Sequence, residues 1–172
     1  LAARFPDVSV VNLGGGLKSF ELKKYKDGIS DERTVIVTEK VGIMNSFRTQ
    51  LDVNGVKENI LFAPSKASIS IGDADKAELI YTGESSNGIK VEKKIIFSGA
   101  SYFINTDLRA LNTQSSPVSV KAETVLAANA AGKDATGYHQ GPIIKTKDKL
   151  IRQDADEAQL TGADKLKWVG LE

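Results

Sequence analysis

Apolar residues in this chain recur predominantly at every second position, and no stretch shows a convincing long helical period. That property excludes a helical bundle and an alternating α/β architecture. A strand sends successive side chains to opposite faces, whereas a helix needs an apolar stripe every ~3.6 residues. Residues 8–12 (VSVVN) are a short β-branched run, and in 17–22 Leu17, Ser19 and Glu21 alternate against Lys18, Phe20 and Leu22. Residues 34–40 (TVIVTEK), 47–53 (FRTQLDV) and 67–71 (ASISI) carry the same period, and Asn54-Gly55 marks a turn.

The strongest local signal is a hairpin. Residues 78–82 (ELIYT) lead into Ser85-Ser86-Asn87-Gly88, and 89–97 (IKVEKKIIF) lead out. Asn-Gly suggests a type I′ turn, which takes positive φ at both central residues. Ile89, Val91, Ile95 and Phe97 share one face, and Lys90, Glu92 and Lys94 the other. Lys93 interrupts the apolar face, which is therefore expected to be only partly buried. Residues 102–111 (YFINTDLRAL) put Tyr102, Ile104 and Leu108 on one face, and 112–117 (NTQSSP) read as a turn. Residues 118–126 (VSVKAETVL) follow with Val118, Val120, Ala122 and Leu126 on one side, so 78–126 is expected to form an antiparallel meander.

The last third is less regular. Residues 127–140 read as an Ala- and Gly-rich loop, 141–151 as holding one extended segment around Ile143-Ile144, and 165–169 (KLKWV) as a closing strand. Residues 154–160 (DADEAQL) could close a single helical turn with acids at its positive end. No repeat or linker divides the chain, so residues 1–172 are expected to be one antiparallel all-β sandwich.

Composition narrows function further. Twenty-three basic and 22 acidic residues leave a net charge of +1, without the basic cluster that nucleic-acid binding requires. With no cysteine, disulfides, thiolate metal sites and thiol catalysis are excluded. No run approaches the ~20 apolar residues of a membrane helix. Residues 1–6 (LAARFP) lack a leading Met, a basic leader and an apolar core, so the sequence reads as part of a longer protein.

Candidate sites give little chemistry. Gly14-Gly15-Gly16 would suit a phosphate loop only if a helix began directly after it. A strand pattern begins there instead, so a tight strand-to-strand turn is expected. His139 is the only histidine, and its neighbours Tyr138 and Gln140 offer neither base nor metal ligand. Asp73-Ala74-Asp75 and Asp154-Ala155-Asp156-Glu157 lack the glycine of a calcium loop. No Gly-x-Ser-x-Gly elbow occurs, and Trp168 reads as a core or edge-sealing residue. The expectation is no catalytic residue, no cofactor and no metal site.

Three patches resemble one family in the right order. They are Asn12-Leu13-Gly14-Gly15-Gly16-Leu17-Lys18-Ser19-Phe20-Glu21-Leu22 through Tyr25, the block 79–112 with Gly88-Ile89-Lys90-Val91 and Tyr102-Phe103-Ile104, and Gly141-Pro142-Ile143-Ile144 through Trp168-Val169-Gly170. Together they resemble the large periplasmic domain of YidC-type membrane protein insertases. The Gly-Gly-Gly run departs from the commoner Gly-Gly or Gly-Ala of that family, and residues 30–71 match only as generic strands. The resemblance implies a large twisted supersandwich, similar to galactose mutarotase, with a minor helix near the C-terminus. It also implies a non-catalytic domain on the periplasmic side of the inner membrane, within a multi-pass protein. The implied partners are accessory subunits of the Sec translocase and client membrane proteins. A carbohydrate-binding or mutarotase-like domain is the alternative, against which a single histidine and 6% aromatic residues weigh. A free-standing envelope β-sandwich is a third.

Overall fold

Strand period becomes strand throughout the computed structural model, which describes residues 7–26, 33–37, 45–72, 75–127, 142–153 and 166–171. Among the described residues of the first unit, 1–127, there are eleven strands: β1 (Asp7–Val11), β2 (Gly16–Lys26), β3 (Arg33–Val37), β4 (Arg48–Val53), β5 (Val56–Asn59), β6 (Ala63–Pro64), β7 (Ser68–Ser70), β8 (Lys76–Glu84), β9 (Ile89–Ser98), β10 (Ser101–Asn112) and β11 (Val120–Val125). They form three antiparallel sheets, in the orders β3-β2-β1-β7, β10-β9-β8-β6 and β11-β4-β5. A second unit, residues 128–172, holds β12 (Pro142–Thr146), β13 (Leu150–Arg152) and β14 (Leu166–Leu171) in the order β13-β12-β14.

One apolar cluster joins the three sheets of the first unit. Val8 and Phe20 come from one sheet, Leu79, Ile95 and Phe97 from the second, and Leu51 and Val53 from the third. Phe20 stacks on Phe97 with ring centroids 6.4 Å apart, and Phe62 meets Tyr81 edge-on at 5.9 Å. Each aromatic contact adds ~1 kcal/mol beyond the area it buries.

Local irregularities explain where the simple alternation fails. Leu17 and Phe20 have opposite parity, yet both are buried. The β1–β2 ladder slips between Ser9↔Ser19 and Val10↔Leu17, and that bulge turns β2 over between the two residues. Asn54 and Gly55 have φ of 52° and 87°, the type I′ pair that closes the β4–β5 hairpin. β5 has no sequence signal because it sits at a sheet edge, with Val56 63% exposed.

Three expectations need correction. The turn at Asn87-Gly88 is not type I′, because only Gly88 has positive φ, at 72°. Gly88 N–H instead donates to the Ser85 carbonyl, a turn followed by one left-handed glycine, and the Ser85 hydroxyl accepts from Asn87 and Ile89 N–H. The meander ends at β10, and β11 leaves to pair with β4. As an edge strand β11 keeps only Val120 and Val125 half-buried, while Ala122 and Leu126 are exposed. The third correction is Lys93, whose face of β9 is buried along its whole length. The helical turn expected at 154–160 lies outside the described residues.

Candidate functional site

The sheet of β8, β9 and β10 carries the distinctive chemistry on both of its faces. On the inner face the register sets Tyr81 opposite Lys93. Neither side chain has any solvent exposure. The Lys93 ammonium reaches across the core and donates to the Gly15 carbonyl at 2.9 Å and to the Phe47 carbonyl. The Tyr81 hydroxyl donates to the Gly16 carbonyl at 2.9 Å. Both tips therefore bind the glycine turn between β1 and β2.

The glycines let that turn come so close. Gly14 and Gly15 have φ of 73° and 58°, a region that side chains resist. Gly14 N–H donates to the Ile60 carbonyl, and Thr49 N–H donates to the Gly14 carbonyl. The same knot holds the start of β4. Phe47 itself adopts φ of 62°, fixed by its N–H donating 2.7 Å to the Val125 carbonyl and by the Lys93 contact on its own carbonyl. Ser46 Oγ accepts from Ala127 N–H at 2.7 Å and donates to the Ala127 carbonyl. Lys93 thus ties together segments from all three sheets.

Burial pushes the Lys93 ammonium down from its usual 10.5 to about 8, because desolvation disfavours its charge. Burial pushes the Tyr81 phenol well above its usual range. A buried lysine of this kind invites a catalytic reading. Its geometry opposes one, since both of its contacts are backbone carbonyls and it has no access to solvent. Its chemistry is structural.

Two changes test the knot. Tyr81→Phe leaves the Gly16 carbonyl without its donor and is expected to cost about 1–2 kcal/mol by chemical denaturation. Ser46→Ala is expected to cost about 1 kcal/mol and to make the Ala127 amide exchange with solvent well before the amides of β9.

The outer face is open. A shallow groove of about 580 Å³ runs over it, lined by Thr82, Glu84, Lys90, Glu92, Arg109 and Leu111 among others. Register orders these into two rows, Thr82–Glu92–Arg109 and Glu84–Lys90–Leu111. Leu111 is 62% exposed, between side chains of both charges. Such a surface suits a contact of mixed polarity rather than a reaction, which needs an acid or base beside an enclosed substrate.

The sequence candidates fare differently. Gly14-Gly15-Gly16 is the strand-to-strand turn expected. His139, Asp73 and the run from Asp154 to Glu157 lie outside the described residues. Trp168 lies in β14 opposite Lys145. Among the described residues no group of three or more His, Asp or Glu could hold a metal ion. Sequence reasoning missed the roles of Lys93, Tyr81 and Ser46, although the break that Lys93 makes in an apolar row was the available signal.

Fold and site together define a class: an antiparallel β-sandwich domain with a tied interior and an open, mixed-polarity sheet face. The chain belongs to the YidC periplasmic domain family, whose model matches residues 5–172. It is 29% identical to the membrane protein insertase YidC of Geotalea daltonii over 142 residues, covering 80% of this chain and 27% of that protein. The corresponding protein of Geobacter sulfurreducens is 27% identical over 165 residues, 92% of this chain and 31% of the relative. That of Neisseria meningitidis is 21% identical over 168 residues, 90% of this chain and 30% of the relative. The chain thus spans under a third of the length of these relatives. No solved structure matches it.

Proposed function

We propose that this chain is the non-catalytic periplasmic domain of a membrane protein insertase, tethered to the inner membrane of a multi-pass protein. It assists insertion and folding by contacting emerging client segments and accessory subunits of the Sec translocase. The family match over residues 5–172 carries this reading. The open groove over β8–β10 supports it physically. Its side chains of both charges and exposed Leu111 favour short-lived contact with segments of varied sequence over tight capture of one ligand.

Nuclear magnetic resonance titration separates this from the sugar-binding alternative. Adding an extended peptide copied from the periplasmic loop of an inner-membrane protein is expected to shift the amides of Thr82, Lys90 and Arg109. Galactose is expected to shift none of them. The reverse pattern, galactose shifting the groove and the peptide leaving it unmoved, overturns the proposal.

A further inference from the structure

One long strand edge has no neighbour among the described residues. β10 is the last strand of its sheet and pairs with β9 alone. The phase of the ladder shows which backbone groups that edge presents. Ser85 N–H donates to the Ile89 carbonyl. Alternation along an antiparallel pair then makes Tyr81↔Lys93 a hydrogen-bonded pair, with the Lys93 backbone directed at β8. Glu92 and Lys94 have the opposite phase and direct theirs at Arg109 and Asp107 of β10. The N–H and C=O groups of Thr106, Leu108 and Ala110 therefore point out of the sheet.

The side chains of this edge are only partly covered, with Leu108 packing one side against the core. Thr106, Leu108 and Ala110 continue the row that is fully buried on β9, yet Thr106 and Ala110 are exposed and Leu108 is only half-buried. On the outer face Asp107 and Arg109 are exposed, and neither makes an ion pair among the described residues.

We propose that β10 pairs antiparallel with β10 of a second copy of this chain, about a two-fold axis at Leu108. Paired residues in such a ladder lie on the same face, so each register can be read directly. An axis at Leu108 sets Asp107 of each copy opposite Arg109 of the other, Leu108 against Leu108, and Thr106 against Ala110. It also makes Leu108 a hydrogen-bonded pair, which is the phase the outward N–H and C=O groups demand. An axis at Asp107 or Arg109 sets like charges opposite each other. An axis at Thr106 or Ala110 leaves Asp107 facing Asn105, or Arg109 facing Leu111. Charges on an edge ordinarily discourage pairing, but here their order rejects a generic strand and accepts its own copy. The pairing joins two four-stranded sheets edge to edge and brings two copies of the outer groove onto one surface. It is independent of the insertase reading.

Sedimentation equilibrium of this chain tests the register by charge exchange. The wild type is expected to show a concentration-dependent monomer–dimer equilibrium, weakened by salt. Asp107→Arg alone and Arg109→Asp alone each set like charges opposite each other at both crossings, and each is expected to weaken association about tenfold or more. The double exchange restores opposite charges and is expected to restore association. All four side-chain arrangements lie on the surface, so unchanged thermal melting controls for folding. A wild type that stays monomeric, single variants that associate normally, or a double variant as weak as the singles overturns the proposal. A monomer whose Leu108 amide becomes protected only when an extended peptide is added also overturns it, and assigns the edge to a client strand.

Discussion

Lys93→Ala is expected to cost about 3–5 kcal/mol of folding free energy, measured by urea denaturation at pH 7. The loss combines a cavity in a filled core with the buried Gly15 carbonyl and the part-buried Phe47 carbonyl left without this donor. Lys93→Met restores most of the volume and removes the buried charge, so it is expected to lose less than half as much. The pH dependence separates charge from packing. The folded chain gives up the Lys93 proton near pH 8, whereas the unfolded chain keeps it to about 10.5. Between those values the unfolded state binds more protons, so stability rises with pH and the gain approaches about 3 kcal/mol. The neutral amine still has two N–H groups for its two carbonyls. Tyr81 acts in the opposite sense. The folded chain holds its proton above the usual 10, so from about pH 10 upward the unfolded state binds fewer protons and stability falls. The wild type should therefore gain on Lys93→Met from pH 7.5 to 10. A constant difference across that range contradicts a charged Lys93 at neutral pH.

The second large effect is expected at Gly15. A Cβ there would lie 3.2 Å from Phe62 Cδ2 and 3.3 Å from Tyr81 Cγ, on a backbone with φ of 58°. Gly15→Val adds a branched side chain to both problems. It is expected to cost about 3 kcal/mol or more and to loosen the Tyr81 and Lys93 contacts along with the turn. Gly55→Ala is the internal comparison. Its φ is also positive, at 87°, but an added Cβ meets nothing within 4 Å, so about 1 kcal/mol of backbone strain is the whole expected cost. Equal losses at the two sites would mean that the glycine turn is not packed against the core as described.

Much of this architecture was legible in alternation because most strands bury one face and expose the other. β9 shows it most plainly, and even there the lysine was misread. A charged residue in an apolar row implies exposure only if no acceptor lies across the core. The Gly15 and Phe47 carbonyls lie 78 and 46 positions away in sequence, and no local pattern signals their approach. β5 was obscure for a different reason. As an edge strand it buries too little to need an apolar row, so its sequence carries turn and charge signals instead. The partner of β11 was unreadable because residues 113–119 could return the chain either to β10 or across to β4, and hydrophobic pattern does not distinguish the two. The outer groove was half legible. Lys90, Glu92 and Lys94 were assigned to the open face, while Arg109 and Leu111 joined it only through the β9–β10 register. Family resemblance supplied what spacing could not, because fold and periodicity do not by themselves carry function.

On the proposed function, the outer face of β8–β10 meets client segments and Sec accessory subunits during insertion. Site-specific photocrosslinking in the full-length insertase tests it most directly. A photoreactive residue replaces Thr82 or Leu111 in the groove, or Val56 on the exposed β5 edge as a control, while a nascent inner-membrane protein is held at the translocase. Adducts to the client or to a Sec accessory subunit are expected from Thr82 and Leu111, in clear excess over Val56. Equal yields from all three positions, or adducts from Val56 alone, would contradict it.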